Sequence, residues 1–310
     1  VKIDNVIETV DVKTIYEAPI SFFKEKFDTQ VLKHFKINTK KQPNLKPWYK
    51  TKNIILNSKK EINISVVGKY VDLKDAYKSI DEAFIHGGLA NGVKVNLNKI
   101  DSEKLKISQI KYQLKNTHGI LIPGGFGKRG TEGKIQCIKY ARENKIPFFG
   151  ICFGMQLSLI EFARNVLMLK KANSTELNKN CIPIIGLIEE WYKDGILKKG
   201  DLKKLGGTMR LGSYECNLLE GSMVKKIYKA KKIYERHRHR YEVNISYKDK
   251  FEGKGLIFSG LSNNNKLPEI IELKSHPWFV GVQFHPEFKS RPLSPHPLFA
   301  SFIKAAKTKN

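Results

Sequence analysis

Pro147-Phe148-Phe149-Gly150-Ile151-Cys152-Phe153-Gly154-Met155-Gln156 is the run on which the fold turns. Pro147 to Ile151 reads as a short strand, apolar enough to be buried on both faces, and Phe153 to Val166 reads as a helix. A cysteine flanked at one remove by glycines stands between them, so the run predicts a strand that bends sharply into a helix with Cys152 at the bend. A sulfur in that place faces a helix N-terminus, whose unpaired N–H groups favour thiolate over thiol. The competing reading is an inert cysteine packed in the core.

Outward from this run the same alternation repeats. Ile62 to Val67, Val93 to Leu97 and Gly119 to Ile122 read as strands. Asp72 to Leu89, Glu103 to Leu114 and Thr131 to Asn144 read as helices, the first with Asp72 as N-cap and Ala76, Ile80, Ala83, Phe84 and Gly87 along one face. Strands alternating with helices predict an α/β domain with a mainly parallel central sheet flanked by helices. Beyond Leu169 the pattern loosens. Leu197 to Leu205 reads as a polar loop, and Lys232 to Val243, Gly255 to Ser259 and Ile270 to Phe284 read as antiparallel strands, an excursion at the edge where an active site would lie. The last helix spans Pro297 to Thr308. Residues 1–60 read as a small helical piece and a linker ahead of a domain at 61–310, with no internal repeat and no nucleotide-cradling G-x-x-x-x-G-K-[ST] run.

Composition narrows the function classes. The chain has 310 residues, enough for a sizeable core, and no apolar stretch approaches the roughly 20 residues of a membrane span. Val1 to Val10 lacks the layout of a secretory signal, and a start at valine suggests a piece of something longer. Four cysteines, Cys137, Cys152, Cys181 and Cys216, form no metal-type or disulfide-type pattern, which points to a reducing cytoplasm. The formal charge of +26 raises the question of nucleic acid, but the lysines are spread along the chain beside asparagines rather than interleaved with aromatics. Solvated surface is the better account.

Two further stretches bear on chemistry. In Phe284-His285-Pro286-Glu287, residues i and i+2 of an extended chain share a face, so Glu287 stands beside His285 as the carboxylate that orients a base. The alternative is a surface turn; a metal role lacks a third ligand nearby. Pro123-Gly124-Gly125-Phe126-Gly127 follows a strand and exposes backbone N–H groups, so Gly125, with Phe153 after the cysteine, suits an oxyanion hole. A tight strand-to-helix turn is the plainer reading.

Taken together, PGGFGKRGTEG at 123–133, GICFGMQ at 150–156 and FHPEF at 284–288 resemble the class I glutamine amidotransferase family. That resemblance implies a flavodoxin-like fold and a triad of Cys152, His285 and Glu287. NSTE at 173–176, GGTMRLG at 206–212, ERHRHRYEVN at 235–244 and HPWFVGVQFHPEF at 276–288 narrow it, across nearly all of residues 61–306, to the branch that supplies ammonia for ATP-dependent amination of UTP to CTP. For the substrate, L-glutamine, it implies contacts from Gly125, Phe153, Gly154, Met155, Gln156, Glu176 and Arg240, an acid and an arginine suiting the α-ammonium and α-carboxylate. Arg129, Gly130 and Glu132 are implied to form a lid near a GTP-sensing site. In 235–241, alternation predicts Arg236, Arg238 and Arg240 on one face and His237, His239 and Tyr241 on the other; a phosphate-binding basic edge is the rival.

No cofactor is implied for glutamine hydrolysis, whereas the intact enzyme is implied to use ATP and Mg2+, to respond to GTP and to form a homotetramer. VDVKTIYEAPISFFKE at 10–25 resembles the end of the synthetase domain that receives the ammonia, so this chain is not expected to make CTP by itself. Two other classes stand beside this reading: the glutaminase of a different amidotransferase, and a catalytically idle basic RNA-binding or scaffold module.

Overall fold

Phe148 and Phe149 stand next to each other in one strand and so point to opposite faces of the sheet. In a computed structural model of the chain, Phe148 stacks on Phe279 with ring centroids 4.4 Å apart, while Phe149 meets Trp278 and Phe299, each at 5.4 Å. A strand with aromatic cover on both faces is the core of an α/β sheet. The structure describes residues 1–73, 75–187, 190–193, 196–199 and 209–308, with backbone alone at 4, 190–193 and 196–199.

The chain divides into two compact units, residues 1–61 with 92–94, and residues 62–91 with 95–310. In the first, helices α1 (Ala18–Lys24), α2 (Phe27–His34) and α3 (Lys46–Asn57) follow one another. Pro19 and Pro47 fall in first helical turns, where a missing N–H is no loss. Tyr16 and Ile20 are buried, and Lys52 pairs with Glu17 at 2.6 Å.

The strands, in chain order, are β1 (Glu61–Gly68), β2 (Lys94–Asp101), β3 (Gly119–Ile122), β4 (Phe148–Ile151), β5 (Ala172–Ser174), β6 (Ile182–Leu187), β7 (Glu190–Lys193), β8 (Ile196–Lys199), β9 (Arg210–Leu218), β10 (Lys232–His239), β11 (Tyr241–Val243), β12 (Leu256–Ser262), β13 (Pro268–Leu273) and β14 (Phe279–Val282). Nine form one sheet in the order β10-β9-β12-β13-β14-β4-β3-β1-β2. Pairings among β1, β3, β4 and β14 are parallel, and those from β14 outward to β10 are antiparallel. The antiparallel excursion therefore extends the main sheet, and β11-β6-β5 make a second, smaller one. Helices of the second unit are α4 (Lys78–Asn91), α5 (Ile110–Gln113), α6 (Thr131–Glu143), α7 (Phe153–Asn165), α8 (Met223–Tyr228), α9 (Lys248–Glu252) and α10 (Pro297–Lys307). No described helix is long and apolar enough to cross a membrane.

Three local expectations need correction. The helix expected from Asp72 starts at Lys78, because Tyr70 takes a left-handed φ of 56° and the Tyr77 hydroxyl donates back to Lys69 O, holding a loop against β1. The helix expected over 103–114 shrinks to a 3-10 turn at Ile107–Gln109 and α5. Asp101 Oδ1 accepts the Glu103 N–H at 2.9 Å and Lys106 is extended, so the backbone starts late. Of the polar loop expected at 197–205, residues 197–199 belong to the β7-β8 hairpin and the rest lie outside the described residues, as do 206–208 of the GGTMRLG run.

Candidate active site

Strands β14, β4 and β3 are parallel neighbours, so the segments leaving their C-terminal ends emerge together. Ligands of α/β sheets bind in crevices outside such ends. Cys152 follows β4, the run Gln283 to Glu287 follows β14, and the loop Pro123 to Gly127 follows β3. Three segments remote in sequence meet here through strand order.

Cys152 has φ 51° and ψ −102°, a strained backbone for a residue with a side chain. Its N–H donates to Val282 O at 2.6 Å, which fastens the bend to β14. A Cβ on Gly154 would lie 2.1 Å from Ile122 O, and one on Gly150 would lie 2.8 Å from the Gly154 backbone, so both glycines permit close approach of α7 to the strands. Because α7 begins at Phe153, its N–H has no partner within the helix. The cysteine itself is 5% exposed.

His285 Nδ1 lies 2.7 Å from Glu287 Oε1. The pairing expected from an extended chain is present, but Pro286–Lys289 is a 3-10 turn, and the turn, not strand alternation, brings the carboxylate round. The imidazole stacks on Phe288 at 5.3 Å and 20°, and a Cβ on Gly124 would come within 2.7 Å of its Cε1. Its backbone N–H donates to Arg236 O at 2.8 Å, tying it to β10. Burial disfavours a charged imidazole, yet the charge and hydrogen bond of Cys152, followed by those of Glu287, outweigh it and push His285 up to about 10. Beside a charged Cys152 sulfur the protonated ring is therefore favoured.

Gly125 lies beside Phe153: a Cβ on it would be 3.7 Å from Phe153 Cδ1. Two buried lysines, which sequence reasoning missed, flank this loop. Lys69 Nζ donates to Phe126 O at 2.6 Å. Lys134 Nζ lies 5.4 Å from the centroid of the Phe153 ring, and burial, together with the charge of Lys69, lowers its ammonium to about 8. Glu176 accepts the Gly127 N–H at 2.8 Å, so it braces the loop. Glu176 and Arg240 also act from opposite signs on the partly buried Tyr241, whose hydroxyl is raised first by burial. Arg240, half-buried, stands between β10 and β11.

The alternation expected over 235–241 holds through β10, where Glu235, His237 and His239 are buried and Arg236 and Arg238 exposed, but it stops there: Arg240 and Tyr241 are both half-buried, because the chain leaves the main sheet after His239 and Tyr241 pairs in β11 of the second sheet. Behind β10, Arg210 of β9 is 2% exposed and bonds Glu242 and Glu269, each at 2.7 Å, a buried ion cluster that only paired charges make tolerable. Gln156 is buried, its Nε2 donating to Tyr241 O at 2.9 Å and to Gln283 Oε1 at 3.2 Å. Gln283, also missed, directs Nε2 to Cys152 Sγ at 3.6 Å. The signal available was a lone amide in an otherwise apolar run, since a buried polar group needs a partner. In the expected lid, Arg129 bonds the Tyr70 hydroxyl at 2.9 Å and pairs with Glu103 at 3.5 Å. Glu132 pairs with Arg164 at 2.9 Å, and Gly130 has φ 68° ahead of α6.

A cysteine at a strained strand-to-helix bend, with a histidine backed by a carboxylate at the neighbouring strand end, is the kind of arrangement that cysteine-dependent acyl transfer uses. The family model for glutamine amidotransferase class-I matches residues 72–305, and the chain belongs to that family. Within it, the chain sides with the glutaminase domains of CTP synthases. It is 37% identical to the solved Trypanosoma brucei CTPS glutaminase domain with bound acivicin, at a TM-score of 0.72 over 80% of this chain and 95% of that one. It is 71% identical over 307 residues to the CTP synthase of Pelagibacter ubique (strain HTCC1062), and 53% identical over 310 residues to that of Rhodospirillum centenum (strain ATCC 51521 / SW). Each alignment takes in 99% of this chain and 57% of the relative, so the chain spans little more than half the length of these curated relatives.

Proposed function

We propose that this chain hydrolyses L-glutamine to glutamate and ammonia through a thioester on Cys152. The observation that carries the reading is His285, 2.7 Å from Glu287, at the strand end next to Cys152 and its strained bend. The thiolate attacks the side-chain amide carbon, and the Gly125 and Phe153 N–H groups take up the charge that develops on its oxygen. As the C–N bond breaks, His285 gives its proton to the departing nitrogen, releasing ammonia. His285 then takes a proton from water, hydroxide attacks the thioester carbon, and cleavage of the C–S bond restores the thiolate and imidazolium. Glu176 and Arg240 pair with the α-ammonium and α-carboxylate, while Gly154, Met155 and Gln156 shape the floor of the site.

In the whole protein this ammonia passes to a synthetase domain that aminates UTP to CTP with ATP and Mg2+. Arg129, Gly130 and Glu132 form the lid through which GTP activates the reaction. The assembly is a cytoplasmic homotetramer, and the basic surface serves solvation rather than nucleic acid. Treatment with a glutamine-like diazo ketone tests the assignment of nucleophile and substrate together. One adduct is expected, on Cys152 and blocked by glutamine; an adduct elsewhere, or one indifferent to glutamine, overturns it.

The pH dependence follows from His285. With its folded value near 10 against 6.5 for an ordinary histidine, the imidazolium persists through neutral pH. kcat/KM is therefore expected to hold its plateau above neutrality and to fall as pH rises through about 10. By the same linkage the pair's contribution to stability is complete below about 6.5 and lost as pH rises through about 10. Glu287→Gln removes a charge and weakens a hydrogen bond that both raise His285, so the alkaline fall moves to lower pH; an unmoved limb would deny Glu287 that role. Gly124→Ala presses a methyl on Cε1 of the ring and is expected to cut kcat by roughly 10²-fold, in line with about 1 Å of misplacement, with secondary structure by circular dichroism unchanged.

A further inference from the structure

Gln156 and Gln283 form a chain of side-chain amides that ends on the nucleophile, and the direction of that chain is dictated by backbone. Tyr241 O is a carbonyl and only accepts, so the Gln156 atom 2.9 Å from it must be the NH2 group. That nitrogen has a second hydrogen, which points to the Gln283 amide at 3.2 Å; the atom facing it must then be the Gln283 oxygen. One amide oxygen placed leaves the Gln283 NH2 group directed at Cys152 Sγ, 3.6 Å away. Amide orientation is ordinarily a matter of assignment from the surrounding network, and here one main-chain carbonyl orders both groups. Gln283 is 0% exposed and Gln156 3% exposed, so water does not compete for these bonds.

We propose that Gln283 is a catalytic residue, a neutral N–H donor to the Cys152 sulfur, set in its donating sense by Gln156 and the Tyr241 carbonyl. The inference rests on Cys152 being the nucleophile of the reaction proposed above. A donor aimed at sulfur favours the thiolate and holds it in place. Before attack it complements the imidazolium, and when water resolves the thioester it receives the sulfur as it leaves with its charge. Because a neutral amide keeps its hydrogen throughout, the donor is present at every step, whereas His285 alternates between acid and base. The anchor of the chain is also informative. Tyr241 directly follows Arg240, the residue assigned above to the substrate carboxylate, so the donor chain and the substrate grip share one segment.

The test uses the full chain and separates sulfur chemistry from glutamine binding. Gln283→Met keeps length and volume and removes the donor. Its Cys152, followed by mass spectrometry of the peptide during iodoacetamide treatment at neutral pH, is expected to alkylate about tenfold more slowly than wild type. kcat for ammonia release is expected to fall by at least as much, with KM within about twofold. Gln156→Met leaves Gln283 in place but frees its amide to turn, and a roughly threefold slowing of alkylation is expected. Wild-type alkylation in a folded Gln283→Met chain, or a rise in KM alone, overturns the proposal. If Gln283→Met does not fold, Gln156→Met decides: alkylation at the wild-type rate overturns the proposal and slowing upholds it. Failure of the glutaminase reading shows separately, as a wild-type chain that alkylates at Cys152 but releases no ammonia from glutamine.

Discussion

Cys152→Ala is expected to lower ammonia release from glutamine by roughly 10⁴-fold or more, the scale seen when a nucleophile acting as part of a unit is removed. Alanine keeps Cβ and the backbone bonds of the bend, including the N–H to Val282 O at 2.6 Å, and it removes only the sulfur. The variant should melt within a few degrees of wild type and still bind glutamine. It also takes away the charge that, after the opposing effect of burial, most strongly raises His285, so that imidazole should titrate at lower pH, an observation open to NMR. Glutaminase activity at the wild-type rate in a folded Cys152→Ala chain would falsify the assignment of the nucleophile.

Gly154→Ala should act through the fold. Its methyl would sit 2.1 Å from Ile122 O and 3.0 Å from the carbonyl carbon, both backbone atoms of β3 that no rotamer change can clear. Either α7 lifts from β3 or the β3 end moves, and both displace Cys152, which precedes the helix. The cost of such overpacking is about 3 kcal/mol or more, roughly 6–12 °C in Tm for a unit of this size, with loss of activity exceeding what the melting shift explains. Gly186 in β6 is the control: a Cβ there meets nothing within 4 Å and its φ is unremarkable, so Gly186→Ala should change stability by only about 0.5 kcal/mol. Equal melting temperatures for Gly154→Ala and wild type would mean that the elbow is not held by this contact.

Much of the molecule is legible in the sequence. The strands at Gly119–Ile122 and Phe148–Ile151 and the helices α6, α7 and α10 fall within a residue or two of their sequence assignments, because hydrophobic periodicity and Gly or Pro punctuation are properties of short stretches. Where local chemistry competed with pattern, sequence reading failed. The start of α4 was lost to the bond between the Tyr77 hydroxyl and Lys69 O, and the 103–114 helix to the bond from Glu103 N–H to Asp101.

For the site, the sequence by itself determined the reactive residue types: a cysteine between glycines at a strand-to-helix bend, and a histidine with a carboxylate two residues on. Each is a short-range pattern. That these stand together was decided only by the tertiary structure, since the order β14-β4-β3 depends on how crossovers pack across the whole sheet. The tertiary structure also decided which neighbours raise His285 against its burial and which unremarked side chains, Lys69, Lys134 and Gln283, surround the loop and the sulfur. Burial and through-space charge determine those outcomes, and both are sums over neighbours that lie far apart along the chain.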